Sequence, residues 1–572
     1  MKNILKQLLL FIIITHPLAY SSQIDNCLNC HKNTTNMSKS HPTEKFGCFK
    51  CHGGNKEATN KKDAHRGMVL NPSRLEHAHK FCGKCHEDII KRVSRSLMNS
   101  QKGIFDVLKF QWDQNHTHVS DINFSKISKS HFRKACAACH INQHEELFDD
   151  PQYAKGGGCV DCHRVSKTIK HQKDFKLYIQ HSQLSTKIPS KNCLKCHNRS
   201  NRVGLSYFGK FESEGYGTPY KKGEFSHKLD NSRYYYQLPP DIHYKNGQMD
   251  CIDCHTEKGV MGDGKSHAHM EEAEDIKCID CHKPKFKKFN KLAKTLQKLN
   301  EKIPKATLIA YSNKKNSPIY NLEKNSSHIN FYRKKDAKLL NLSIMSDKAY
   351  HTSDIHKRLD CSACHSLWMP SCYGCHEVYF DNGKQFDWFA KKVTSGEWQE
   401  LRSFLRFESP SLGIGYNKKI MPFAPGCQVI GTLFEDKKIK QFHSLAMAGW
   451  SPHTIQKQSR ECIDCHFNPA SLGLGRGNLD IKDQNITFRP IYNSQNSGMP
   501  FEYPIDAFVS TDGKQFQSTS REEARGFNKD ELHKIINAYK CIICHREWND
   551  KIYIDFNRSK QLFLGGKTQC SK

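Results

Sequence analysis

Twelve times along this chain, two cysteines stand three apart with a histidine directly after the second. The first four runs are CLNCH (Cys27, Cys30, His31), CFKCH (Cys48, Cys51, His52), CGKCH (Cys82, Cys85, His86) and CAACH (Cys136, Cys139, His140). The next four are CVDCH (Cys159, Cys162, His163), CLKCH (Cys193, Cys196, His197), CIDCH (Cys251, Cys254, His255) and CIDCH again (Cys278, Cys281, His282). The last four are CSACH (Cys361, Cys364, His365), CYGCH (Cys372, Cys375, His376), CIDCH (Cys462, Cys465, His466) and CIICH (Cys541, Cys544, His545). On a helical turn, cysteines at this spacing share one face. Their sulfurs can then form thioethers with the two vinyl groups of a haem, while the adjacent histidine reaches the iron as proximal ligand.

Zinc ribbons and disulfides also use Cys-x-x-Cys, and the fifth residue separates the readings. With 33 histidines in 572 residues, a chance histidine after any one motif has odds of roughly 6%. All twelve motifs have one, and none carries lysine instead. The expected cofactors are therefore twelve c-type haems with their iron.

A sixth ligand for each iron must come from elsewhere. Twelve proximal histidines and His16 leave twenty others, enough for bis-histidine ligation throughout. Eight stand five to nine residues ahead of a motif: His41, His77, His131, His243, His269, His356, His453 and His533. Among those between motifs, His65, His79, His144, His171 and His181 join them as candidate distal ligands. His116, His118, His227, His267, His328, His351 and His443 belong to the same intervals, and for every histidine between motifs, those five included, a solvated or propionate-bonded ring is an equal expectation. Met37, Met68 or Met270 could serve at a minority of irons.

The charge balance fits this cofactor. The formal charge is +30, with 88 Lys and Arg. A ferric c-haem adds about −1 through its propionates, so twelve bring the total to about +18, and full reduction to about +6. Lys2 and Lys6, the apolar run from Leu8 to Ile14 and small residues near Ala19 and Ser21 read as an export signal over residues 1–21. Export argues against nucleic acid as partner. Seven apolar residues fall far below the roughly 20 that span a bilayer, so no transmembrane span is expected.

Intervals between first cysteines run 21, 34 and 54 residues from Cys27, then 23, 34 and 58 from Cys136, which reads as two three-haem units within residues 22–250. Gly47 and Gly158 stand directly before motifs. Residues 251–376 form a four-haem region. Its insert at 283–350 opens with a basic helical stretch and continues into strand-like runs, a helix with a hairpin. The motifs at Cys361 and Cys372 start eleven residues apart, which would bring their porphyrins nearly into contact, with Trp368 and Pro370 as packing and turn residues. Residues 377–572 form a two-haem region with long haem-free spans. Cys427 and Cys570 are left over: a disulfide, a free packed thiol at Cys427, or a thiolate ligand or nucleophile there are all open.

About 46 residues per haem predict a fold that is mostly α and irregular, short helices and long loops around a haem stack, with minor β inserts in the C-terminal half. The motifs resemble those of the multihaem c-type cytochromes of bacterial respiratory and extracellular electron-transfer chains. CSACHSLWMPSCYGCH, PFAPGCQVIG and DAFVSTDGKQFQSTSREEARGFN look like a large family of such cytochromes in metal- and sulfur-metabolising bacteria. The resemblance implies haem binding and electron relay in the periplasm, at the outer membrane or outside the cell. Its implied partners are redox proteins such as other cytochromes or an outer-membrane barrel. The alternative is a reductase or oxidase of a small nitrogen or sulfur compound at one five-coordinate haem. An electron carrier fits better than an enzyme, and no catalytic residue stands out.

Overall fold

The computed structural model describes residues 25–31, 37–113, 126–137, 141, 156–165, 170–173, 176–179, 183–198, 203–212, 215–217, 225–229, 233–299, 303, 307–325, 328–435, 437–482, 485–492 and 504–567. The expected export signal and Cys570 lie outside them. The chain divides into two compact units, one of residues 1–87 with 166–184 and one of 88–165 with 185–572. The first unit carries the first three motifs, the first two on the short helices Cys27–Cys30 and Phe49–His52.

The second unit corrects the expected fold class. Helix covers about a third and strand about a quarter of the described residues, so the fold is not predominantly helical. Four long strands, β1 (Met369–Asp387), β2 (Lys392–Glu408), β3 (Ile420–Glu435) and β4 (Lys438–Gly449), are the centre of a seven-stranded sheet. β1 pairs antiparallel with β2 and parallel with β3, which pairs antiparallel with β4. The physical reason lies in the length of the motif-free spans. A segment with no motif must bury its own apolar side chains, and these spans are rich in the aromatic and β-branched residues that fit a pleated surface. Tyr379, Trp398 and Leu433 form one buried cluster between strands, and Phe380 stacks on Phe434 at 5.2 Å.

Sheet structure also enters the N-terminal half, where Lys210–Glu212, Arg233–Gln237 and His227–Leu229 lie side by side as a three-stranded sheet. In the insert, the helix Lys291–Leu299 accompanies a five-stranded antiparallel sheet running from Lys285–Lys288 to Leu339–Leu340, more than a hairpin. Trp368 is buried against Phe211, whereas Pro370 sits in β1 opposite Phe407 and makes no turn.

The loop after β4 ties segments far apart in the chain. Residues 451–456 are stitched to Asp241 and Ile242 by Ile455 N donating to Asp241 Oδ2 (2.9 Å) and Ile242 N to Ile455 O (2.8 Å). On the other side His365 Nδ1 donates to Gln456 O at 3.1 Å. Among the described residues no helix is long and apolar enough to cross a membrane.

Candidate functional site

Ten motifs fold as a helical turn. In seven, the histidine amide donates to the carbonyl of the first cysteine at 2.9–3.1 Å: His31, His52, His86, His163, His197, His255 and His545. Three more, Cys278–His282, Cys361–His365 and Cys462–His466, are helical from end to end. The three CIDCH runs owe their third residue to capping: Asp253, Asp280 and Asp464 each accept the amide of the residue before the first cysteine, at 2.7, 2.8 and 2.8 Å. Gly47 is required before the second motif. Its φ is +63°, and a Cβ there would meet Asp25 Oδ2, one oxygen of the carboxylate that accepts the Cys27 and Cys48 amides.

Six of these motif histidines face a second histidine. The ring centres are 6.1 Å apart for His31 and His65, and 6.1 Å for His86 and His41. They are 6.4 Å apart for His255 and His453, 6.0 Å for His282 and His243, 6.5 Å for His365 and His351, and 6.2 Å for His466 and His356. A metal held at about 2.0 Å from a nitrogen of each ring, with each nitrogen about 1.1 Å from its ring centre, separates the centres by about 6 Å. The spacing therefore fits one iron between each pair, with the cysteines of the same motif beside it.

The outer nitrogens agree. Nδ1 of His52, His163, His282, His365 and His466 lies 2.6–3.1 Å from the backbone carbonyl of Val69, Ser185, Ser343, Gln456 and Ile535 respectively. His351 and His453 do the same with Ser346 and Ser451, both at 2.9 Å. A carbonyl only accepts, so Nδ1 carries the proton and Nε2 keeps its lone pair for a metal. Burial, assisted by the facing His453, pushes His255 down to about 4, and burial beside His466 does the same to His356. Both rings are thus neutral at pH 7, the state that ligates iron.

Neighbouring motifs touch. Cys27 and Cys48 share Asp25, with ligand atoms within 4.8 Å of one another. In the second unit, Asn192, beside Cys193, donates to Cys162 O at 2.6 Å. The Cys193 thiol lies close enough to that of Cys251 for their contact, burial and mutual repulsion to hold it well above the usual thiol range, and the Cys278 thiol stands likewise to that of Cys361. Cys254 and Cys281 pack on one apolar cluster. Arg460 N donates to Cys364 O at 2.8 Å, and Cys462 Sγ lies 3.5 Å from Arg546 O, next to His545. The fifth to ninth, eleventh and twelfth motifs are thus neighbours in chain order.

The other candidates are placed differently. Buried His131 turns Nε2 to the Glu377 carboxylate and its ring to Trp398 at 4.6 Å, so Nε2 is engaged by a carboxylate. His267 Nε2 is held by both oxygens of Asp263 at 3.0 Å. His77 lies 3.4 Å from Glu76, His227 packs at a tilt against Tyr235, His269 caps the helix Met270–Ala273, and His533 sits on the helix Lys529–Ile536. His79 is on Leu75–Phe81. His116, His118, His140, His144 and His181 lie outside the described residues, as do the side chains of His171, His443 and Cys427. His351 stands ten residues ahead of Cys361, just beyond the spacing that marks the eight histidines ahead of motifs.

The tenth motif departs from the helical turn. Cys372 to His376 lie in β1, with an irregularity in the ladder between Tyr373 and His376, and Cys372 packs with Phe211 and Trp368. The extended backbone follows from the aromatic and β-branched run that continues the strand, and it does not present the face that the other motifs share.

No protein-family model, curated protein or solved structure matches this chain.

Proposed function

We propose that the chain is an exported electron-transfer protein carrying covalent c-type haems, and that it relays electrons between redox partners. The observation that carries this reading is the six histidine pairs at 6.0–6.5 Å, each built from a motif histidine and one from elsewhere. Haem supplies an iron that passes between ferric and ferrous states. The chain does the rest. The helical turns present two cysteines and a histidine to one face, the second histidine closes the opposite face, and the Nδ1 hydrogen bonds fix the rings that make them. Ligation that is the same in both oxidation states keeps rearrangement small, and contacts between successive motifs bring their sites side by side. The ten helical-turn motifs fit the group; the strand-borne tenth does not in the arrangement described.

Periplasmic or outer-membrane location, and redox partners such as other cytochromes or a barrel, belong to this proposal through the leader and the motifs. The test is the oxidised protein purified from a host that attaches c-type haem. Low-spin ferric signals with a c-type pyridine haemochrome support a relay. A dominant high-spin signal that responds to nitrite or sulfite overturns it in favour of an enzyme.

A further inference from the structure

The proximal and distal rings are not all braced alike. Most lean on a neutral backbone carbonyl, but two lean on a carboxylate. His545 Nδ1 donates to Asp550 Oδ2 at 2.7 Å, and His243 Nδ1, whose ring faces His282, donates to Asp241 Oδ1 at 2.8 Å. Asp241 is fixed from several directions: its side chain is 2% exposed, Oδ1 also accepts His243 N at 3.0 Å, and Oδ2 accepts Ile455 N at 2.9 Å. Asp550 is about a third exposed, and its other oxygen accepts Ile552 N at 3.2 Å as the cap of Lys551–Tyr553.

A carboxylate behind an imidazole draws the Nδ1 proton toward itself and makes Nε2 a stronger donor, which favours the more highly charged metal. A carbonyl does this less. We propose that Asp550 and Asp241 are positioning residues that lower the reduction potential of the twelfth and eighth sites relative to those braced by backbone carbonyls. The inference rests on the haem reading above. It makes the relay uneven: an electron arriving at either site sits higher in energy than on its carbonyl-braced neighbours. The effect is larger at Asp241, where water is excluded, than at Asp550, where solvent screens the charge.

The test is spectroelectrochemical titration of the loaded full chain as wild type, Asp550→Asn, Asp550→Glu and Asp241→Asn. Asparagine is as good a helix cap as aspartate and still accepts the Nδ1 proton, so Asp550→Asn removes the charge and keeps the geometry. The expected result is that one haem's share of the titration moves to higher potential in Asp550→Asn, returns with glutamate, and moves further in Asp241→Asn. Curves that superimpose on wild type in Asp550→Asn, with full loading, overturn the inference even if Asp241→Asn fails to fold. Absence of covalent haem in the wild type overturns the functional reading instead, and the two failures are told apart by the haemochrome spectrum.

Discussion

Replacing His453 by glycine removes one half of a pair without disturbing the fold that holds it. His453 adopts φ +53°, a left-handed conformation that costs a side chain with a Cβ about 1–2 kcal/mol and costs glycine almost nothing. The substitution also forfeits the hydrogen bond from Nδ1 to Ser451 O, a net loss of about 1 kcal/mol. The two effects nearly cancel, so the polypeptide should keep its stability. The iron should not keep its ligand. His255 faces His453 at 6.4 Å with the rings 11° from parallel, and glycine leaves a gap the size of one imidazole. His453→Gly should therefore convert one site from low-spin to high-spin ferric iron in electron paramagnetic resonance, and free imidazole in millimolar excess should restore the low-spin signal. His227→Ala, on a ring that packs against Tyr235 instead, should change nothing in the spectrum. A wholly low-spin His453→Gly protein, or a high-spin signal indifferent to imidazole, would refute the pairing.

His131→Ala should leave the haem spectrum unchanged and cost about 1.5–3 kcal/mol in urea unfolding, because it removes the hydrogen-bond partner that His131 Nε2 gives the Glu377 carboxylate, whose side chain is 12% exposed; a new high-spin signal would instead restore His131 as a ligand. Acid should destabilise the chain in a defined window. Burial pushes Glu271 up, but pairing with Arg521 outweighs it and holds the carboxyl below its usual range, and Arg525 does the same for Glu531. A carboxyl lowered on folding contributes stability above its unfolded value of about 4.3 and loses it as the pH falls through the folded value. Thermal midpoints should thus be level above about pH 5 and fall below about pH 4. Arg521→Met should flatten that limb, and an unchanged limb would contradict the assignment.

The local chemistry of the site was legible in the chain because it is local: Cys, Cys and His at fixed spacing on a helical turn need only a few consecutive peptide units to take shape. The positions of His41, His243, His356 and His453 ahead of motifs were also legible, but their partners were not. His453 faces His255, far earlier in the chain, and it reaches there through a left-handed turn stitched to Asp241 and His365, neither of which spacing reveals. His131 stands in the expected place too, but its Nε2 meets the Glu377 carboxylate of a distant strand, which spacing does not reveal either. The sheet was missed for a different reason. Averaging residues over haems spreads cofactor evenly, whereas the spans after the motif at Cys372 are long and motif-free, and the aromatic and apolar residues recurring through Lys392–Glu408 and Ile420–Glu435 were the available signal.

The most direct measurement is the intact mass of the denatured, purified chain, read beside its pyridine haemochrome. Covalent haem survives denaturation, so the account predicts a mass above the leader-free polypeptide by at least ten haems, one for each helical-turn motif, with the c-type absorption bands. The mass of the bare polypeptide, or haem lost on denaturation, would contradict it.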